Sequence, residues 1–576
     1  MSKKFLSIYN FKKNPKNFAV INTYSYDIEK LFNFPDKHLF KKKPNEYNIT
    51  KNYLKNLKKK IFISLYKELN KIHKVNYDYK YWEIILTPWL LLFLDKTFEK
   101  FKRLNKFLSS NNRDYFTYDY FNKKKIIPTN YECLQMQTYD TKEWDYQINL
   151  EFIKNFYSNR IDCKIKEDTK FDNLIKKYYE NRSNTYYYKK NFNYLLGKKN
   201  KIIFFKGHFG RKNIIILNSK CFQLPNYFSI NYKKELIELD TIRNNLVLNF
   251  KVKNKYEKYL SKYLFTHLPT FLLEQFDYYN NSYHSIMPDN PKLIFNTNNL
   301  WWNTLLIFYT ANMKFKKKSK LLTYQHGFGY GICDSLYADH EYNISDFFFT
   351  WGWKDNKKNQ KIGVNRIFLR EKTANKILFV HRTNKRFPIT EEYNYDEFDW
   401  IEYLKQLIKI PSLINREFRK KIVYRVHSGN LCNEFQFLKK RISKIEFSDI
   451  NKPIDKSIKE SKIVVCTYLD TVFLQCLASN IPVISFFNFK RLNISLKNKI
   501  MLEDLKKHNV IFDNYENLCN HINSKFKNID EWWFSDKIQR AILKFKNNHA
   551  YYEKDRNSKI IKSIKHILKN DQIKSK

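Results

Sequence analysis

The stretch KIVVCTYLDTVFLQCLASNIPVISF, residues 462–486, reads as strand, turn, helix and second strand. Residues 462–467 form a short run rich in β-branched side chains, 470–479 repeat apolar side chains at helical spacing, and 481–486 are apolar again. Two such runs joined by a helix make a crossover unit with parallel strands buried on both faces. The pattern continues outward. Further strands are predicted at 376–381, 421–427, 444–447 and 509–512, with helices at 399–408 and 434–442. Residues 365–545 are therefore expected to form a doubly wound α/β domain.

The preceding half is more mixed. A strand is predicted at 18–22 and a helix at 51–74, where Leu54, Leu57, Ile61, Leu65 and Leu69 recur at near-helical spacing. Another helix is expected to start at Thr87-Pro88, with Thr as N-cap and Pro in the first turn, and to run through residue 102. Strand-like runs follow at 202–205, 213–217, 293–296, 321–324 and 346–350, with a helix over 300–313. The expected organisation is an acceptor-side α/β domain with helical insertions over 1–352, a nucleotide-donor domain over 353–545, and a basic helix or tail over 546–576. The Lys/Asn-rich run 354–359 marks the boundary.

With 576 residues, 43% of them hydrophobic, the chain is too long for one ordinary domain and can bury a large core. Of the 106 basic residues behind a net charge of +49, 89 are Lys and 17 Arg, spread over the whole chain. That is the imprint of an A/T-rich coding bias more than of a phosphate-reading surface, where the bidentate Arg fork is favoured. The excess still permits contact with a nucleotide, an acidic glycan or an anionic membrane face. No nucleic-acid-binding motif is present, so no specific nucleic-acid partner is expected. Eight cysteines include no C-x-x-C pair, which implies a reduced compartment and no structural metal. The apolar run 84–94 is far shorter than the ~20 residues of a membrane span. The basic residues 1–13 have no apolar stretch behind them, so no signal peptide is expected. A cytoplasmic protein, at most peripheral at the inner membrane face, is expected.

Only nine glycines occur, and three fall in Gln325-His326-Gly327-Phe328-Gly329-Tyr330-Gly331. Gly327, Gly329 and Gly331 imply a tight turn or a close backbone approach. His326, flanked by Gln325, would project from that turn into a cleft as general base. No Walker Lys-Ser/Thr follows, so this is not a P-loop. In the C-terminal half, chemistry-bearing residues gather after the strands: Arg382 beside His381 and Thr383; Arg425 and His427, followed by Ser428 and Gly429; Thr467, Asp470 and Thr471 at a helix start. A helix N-terminus beside basic groups suits a phosphate.

The segments Tyr81-Trp82-x-Ile84-Ile85-Leu86-x-Pro88-Trp89-Leu90, Tyr324 to Gly331, Phe349-x-Trp351-Gly352-Trp353 and Leu469-Asp470-Thr471-x-x-Leu474-x-x-Leu477-Ala478-x-Asn480-x-Pro482 resemble transferases of bacterial surface-polysaccharide (O-antigen and capsule) loci, over about residues 18–545. More distantly, His326-Gly327 and Arg425-x-His427 resemble motifs of CDP-glycerol glycerophosphotransferases and of capsule transferases using CMP-activated sugars. The resemblance implies a GT-B-like fold: two Rossmann-like domains facing a cleft, with no cofactor and usually no metal. It implies a CMP-, CDP- or UDP-linked sugar donor and a glycan or lipid-linked acceptor. By motif position, His326 matches the acceptor-activating base, Arg425 and His427 the donor-phosphate binders, and Asp470 and Thr471 the donor-site helix start. Three departures stand out: Thr87 where Gly is expected, Ser428 where Pro is expected, and Gln475 where a Glu often holds the donor ribose. Glycosyl transfer is the leading expectation, ahead of phosphoalditol transfer on the same fold and of a non-catalytic basic binding protein.

Overall fold

The computed structural model describes residues 44–574 except 111–112, 121–125, 141, 167–198, 206, 225–240, 286, 356–357, 384–396, 428–433, 443 and 488–493; before residue 44 it describes 4–7, 18–20 and 32. Ser428 and Gly429 lie outside the described residues, as do most of residues 1–13.

Three parallel sheets organise the chain. The first, in the order β2-β1-β3-β4, joins β1 (Lys4–Ser7), β2 (Phe18–Val20), β3 (Tyr115–Asp119) and β4 (Ile161–Ile165). The middle sheet runs in sequential order through β5 (Ile202–Phe204), β6 (Leu293–Asn296), β7 (Lys320–Tyr324), β8 (Phe347–Thr350) and β9 (Asn359–Lys361). The third takes the order β12-β11-β10-β13-β14-β15. Its strands are β10 (Lys376–His381), β11 (Ile422–Val426), β12 (Glu446–Phe447), β13 (Ser461–Cys466), β14 (Val483–Phe486) and β15 (Ile511–Phe512). That order reverses between β10 and β13, the place where doubly wound sheets open a ligand crevice. The expected α/β architecture of two Rossmann-like units facing a cleft is present, with the small first sheet added to it.

Helix α1 (Pro44–Ile72) buries Leu54, Leu57, Ile61, Leu65 and Leu69, the stripe that its spacing predicted. Helix α2 (Tyr79–Ser109) corrects the expected start at Thr87. Its N-cap is Asp78, whose side chain accepts from the Tyr81 N–H at 2.8 Å, while Thr87 and Pro88 are buried inside the helix. Proline there removes one backbone donor. The Tyr131 hydroxyl donates to the neighbouring Ile85 carbonyl, so tertiary packing serves the disturbed turn. The run 213–217 is helix rather than strand. Helix α3 (Arg211–Lys220) starts at Gly210, with φ 84°, and buries Ile214, Leu217 and Asn218 at i, i+3, i+4 spacing. Short β-branched runs leave helix and strand undecided until packing selects one.

The strand–helix–strand unit leading to the glycine cluster is β6, α4 (Thr304–Lys317) and β7. Helix α5 (Leu336–Ile344) leads into β8, and α6 (Thr471–Ala478) follows β13. The edge strand β9 pairs with β8, so the middle sheet takes in residues beyond the expected boundary at 353. Helices α7 (Leu496–Lys507) and α8 (Asp536–His549) flank the third sheet, and α9 (Arg556–Lys574) crosses back. The Tyr551 N–H bonds the Trp351 carbonyl at 2.7 Å, and the Val364 N–H bonds the Tyr551 carbonyl at 2.8 Å. One apolar core joins Phe295, Tyr324 and Trp351 of the middle unit to Val464, Phe473 and Leu477 of the third, with Ile560 and Ile564 of α9. Among the described residues, no helix is long and apolar enough to cross a membrane.

Candidate active site

A cavity of about 1490 Å³ opens where the carboxyl ends of β5, β6 and β7 face those of β10, β11 and β13. His208, Asn298, Trp301, His326 and Tyr330 line one side; Arg382, Arg425, His427, Tyr468 and Asp470 line the other.

His326 leaves the end of β7 after Gln325. Its Nδ1 lies 3.1 Å from the Thr297 carbonyl oxygen. A carbonyl has no hydrogen to give, so Nδ1 carries the ring hydrogen and Nε2 keeps a lone pair; this tautomer is assigned from the bonding pattern. The side chain is 25% exposed. The His208 ring stacks over it at 5.5 Å, with planes 16° apart. Burial above all, then His208, depresses its pKa to about 3, while the Thr297 carbonyl works the other way. The imidazole is thus neutral at physiological pH, as a proton acceptor must be.

Gln325 does not stand beside it in the cavity, contrary to its expected catalytic place. It is buried, and its Oε1 accepts from the Trp351 N–H and the Trp353 indole N–H, both at 2.9 Å, while Nε2 donates to the Gly327 carbonyl at 3.0 Å. Gln325 ties the turn to the aromatic segment. Gly329 and Gly331 sit at φ 105° and 71°, and a Cβ on Gly331 would meet the Trp353 ring at 2.4 Å. Gly327 is confined differently: a Cβ there would lie 3.0 Å from Thr471 Oγ1.

The opposite wall redistributes the expected donor-side roles. Arg425 is buried, and its guanidinium donates to Ser448 Oγ and to the carbonyls of Asp449, Ile450 and Lys452. Its fork holds the cavity-lining segment 450–454 in place instead of standing open for a phosphate. These acceptors are neutral, so they satisfy its N–H groups without cancelling its charge. Thr467 is fully buried and bonded to Val380 and Tyr403, away from the cavity. Thr471 spends its lone pair across the cleft, accepting the Phe328 N–H at 3.1 Å. Gln475 donates to Asn365 at 2.9 Å, and Asn365 donates to the His208 carbonyl at 3.2 Å. Both bridge the two units.

Arg382, Arg425, His427, Asp470, Thr471 and Gln475 all line this one cavity. Asp470 caps α6, accepting from the Val472 and Phe473 N–H groups at 3.0 and 3.2 Å. Burial raises its pKa to about 6, against the Tyr468 hydroxyl, these N–H groups and the Arg382 charge. The Arg382 guanidinium lies 5.8 Å from the Tyr468 ring centre. Burial and the Arg425 charge lower the His427 pKa. His381, 1% exposed, has neither ring nitrogen hydrogen-bonded among the described residues, and burial holds its pKa at about 3. Among the described residues, no group of three or more His, Cys, Asp or Glu side chains is placed to hold a metal ion.

Sequence reading missed His208, although Gly207 and Gly210 flank it. A Cβ on Gly207 would stand 1.9 Å from Thr297 Oγ1, so a signal existed. It also missed Glu341 and segment 450–454, for which local sequence offers none.

The model of a family described as LIC12162 family transferase matches residues 19–564. No curated protein matches the chain. Among solved structures, a glycosyltransferase from Rickettsia africae is 13% identical, covers 65% of this chain and 100% of its own, and has a TM-score of 0.36. The wall teichoic acid polymerase TagF is 13% identical, covers 75% and 99%, and has a TM-score of 0.35. TarM is 14% identical over 46% of this chain, with a TM-score of 0.30, and the chain spans 54% of TarM's length.

Proposed function

The chain belongs to the LIC12162 family of transferases, and from that membership we propose that it moves a glycosyl group from a nucleotide-activated sugar to a hydroxyl of a surface-polysaccharide acceptor. The observation that carries this reading is His326: a neutral ring at the cavity wall whose Nδ1 is held by a carbonyl and whose Nε2 is left to take a proton.

In this reading the acceptor hydroxyl gives its proton to Nε2 while its oxygen bonds the anomeric carbon. The bond from that carbon to the phosphate oxygen breaks, and the electron pair leaves with the nucleotide. The third-sheet unit is the donor side. Arg382 at its rim, with the Arg425 charge behind it, opposes the charge of the leaving phosphate, and the neutral His427 ring can donate a hydrogen bond to it. That phosphate in turn favours a protonated His326, raising the basicity that burial lowers. Trp301, Trp302, Tyr337 and Gln135 line the other side of the cavity, where aromatic faces and an amide suit a sugar acceptor. The net charge of +49 supports peripheral contact with an anionic membrane surface at the cytoplasmic face.

The test is a thermal-shift screen against CMP, CDP, UDP, GDP and dTDP, followed by turnover of the matching nucleotide sugar. One nucleotide should stabilise the protein by about 2.7 kcal/mol at a hundredfold excess over Kd. Arg382→Ala should lose most of that shift; Arg425→Ala is unsuitable because it would also release segment 450–454. His326→Ala should keep the shift while turnover falls by about 10²–10⁴-fold. No shift with any nucleotide, or full turnover by His326→Ala, would overturn the reading. A product heavier by a phosphoalditol instead of a sugar would move the protein to the alditol-phosphate chemistry.

A further inference from the structure

The cavity wall behind His326 contains a chain of polar groups that the reaction above does not use. Tyr330, four residues on and between Gly329 and Gly331, places its hydroxyl oxygen 3.2 Å from His326 Nδ1. The same hydroxyl bonds Glu341 Oε2, on α5. Glu341 is 1% exposed, and its Oε2 lies 3.8 Å from His326 Nδ1. Its other carboxyl oxygen, Oε1, is buried with no hydrogen-bond partner among the described residues.

We propose that Tyr330 and Glu341 are positioning residues that fix His326 in the tautomer with a bare Nε2 facing the cavity. This rests on His326 being the base. Tyr330 has one hydrogen. Once Glu341 is ionised, Tyr330 donates that hydrogen to it and turns a lone pair toward Nδ1. Two acceptors, the Thr297 carbonyl and the Tyr330 oxygen, then converge on Nδ1 and hold the ring hydrogen there. The opposite tautomer would set the Nδ1 lone pair against both oxygens. In its ionised form Glu341 also favours the imidazolium formed during transfer, as an acid oriented behind a catalytic histidine does.

Replacing Glu341 by Gln removes the negative charge that draws the Tyr330 hydrogen away from Nδ1. A neutral amide oxygen accepts more weakly than a carboxylate, and the amide NH₂ can donate to Tyr330 instead. With the NH₂ toward Tyr330, the hydroxyl accepts from it and directs its own hydrogen at Nδ1, which favours the hydrogen on Nε2. Tyr330→Phe only removes one of the two acceptors and should have a smaller effect.

The experiment is ¹⁵N NMR of the full chain labelled at histidine, at pH 9, above the range to which burial raises the Glu341 carboxyl, about 8. The His326 signals are identified by their loss in His326→Asn. Wild type should show a protonated Nδ1 and a bare Nε2. The share of Nε2–H should rise in Tyr330→Phe and rise further in Glu341→Gln. Nε2–H in the wild type overturns the proposal without any variant, and so does an unchanged tautomer in a folded Glu341→Gln. Failure of the base assignment is a separate result, read as undiminished turnover by His326→Ala.

Discussion

At the scale of single residues, placement in the cavity and availability to a ligand are different properties. Arg425 and His381 show it from opposite sides. Arg425 was the expected phosphate binder, yet its N–H groups already meet a side-chain hydroxyl and three carbonyl oxygens. Neither His381 ring nitrogen has a hydrogen-bond partner among the described residues. A buried unpaired imidazole is tolerated only while neutral. Its pKa is held near 3 by burial, below the ordinary 6.5, so the unfolded chain binds a proton that the folded one refuses. The neutral ring costs nothing above the unfolded pKa, and stability is lost as pH falls through 6.5 toward 3. His381→Phe removes that term. Relative to wild type, the variant should gain about 2 kcal/mol between pH 6.5 and 5, at roughly 1.4 kcal/mol per pH unit. Urea unfolding at both pH values measures it; a pH-independent difference would mean that the ring charges in place. No local pattern distinguishes these two residues, since both end apolar strands. What separates them is the segment 449–452, present beside one and absent beside the other.

At the scale of elements, the glycine turn and helix α2 behave differently. The turn was legible because glycine is rare here and the fold needs it: Gly331 combines φ 71° with an indole pressed against its Cα. Gly331→Ala should therefore cost about 2–4 kcal/mol, from left-handed strain plus overpacking against Trp353. A fall in the urea midpoint with an unchanged slope would confirm it, and an unchanged midpoint would show that Trp353 moves aside. Helix α2 was misread at its start. Thr87-Pro88 has the chemistry of a helix beginning, but Asp78 caps the chain nine residues earlier and the Tyr131 hydroxyl serves the turn that proline disturbs. A proline inside a helix is decided by whether a distant donor is present. Helix α3 makes the same point: Ile214, Ile215 and Ile216 suit either element, and the side that is buried settles which.

At the scale of the whole molecule, the two α/β units are coupled by more than a linker. Thr471 with Phe328, Gln475 through Asn365 with the His208 carbonyl, and Asn498 with the carbonyls of Gly331 and Ile332 all cross between them. Helix α9 closes the arrangement by burying Ile560, Ile561, Ile564 and Ile567. At about 1.5–3 kcal/mol each, these four side chains rival the net stability of a typical fold, roughly 5–15 kcal/mol. Removing residues 556–576 should leave a chain without a cooperative thermal transition and with dye-binding apolar surface; a truncated chain with an unchanged Tm would show that α9 is an appendage. Local sequence was enough for the strand–helix alternation of the third sheet, the turn at Gln325–Gly331 and the His326 position at the end of β7. Each follows from periodicity along the chain or from a backbone demand that a single residue type meets. Which polar groups remain open to a ligand was settled by packing alone, because hydrogen-bond partners come from segments distant in the chain. Packing assigned Gln325, Thr467 and Arg425 to holding the framework, and it set Glu341 behind Tyr330 and His326, a contact that no spacing in the sequence encodes.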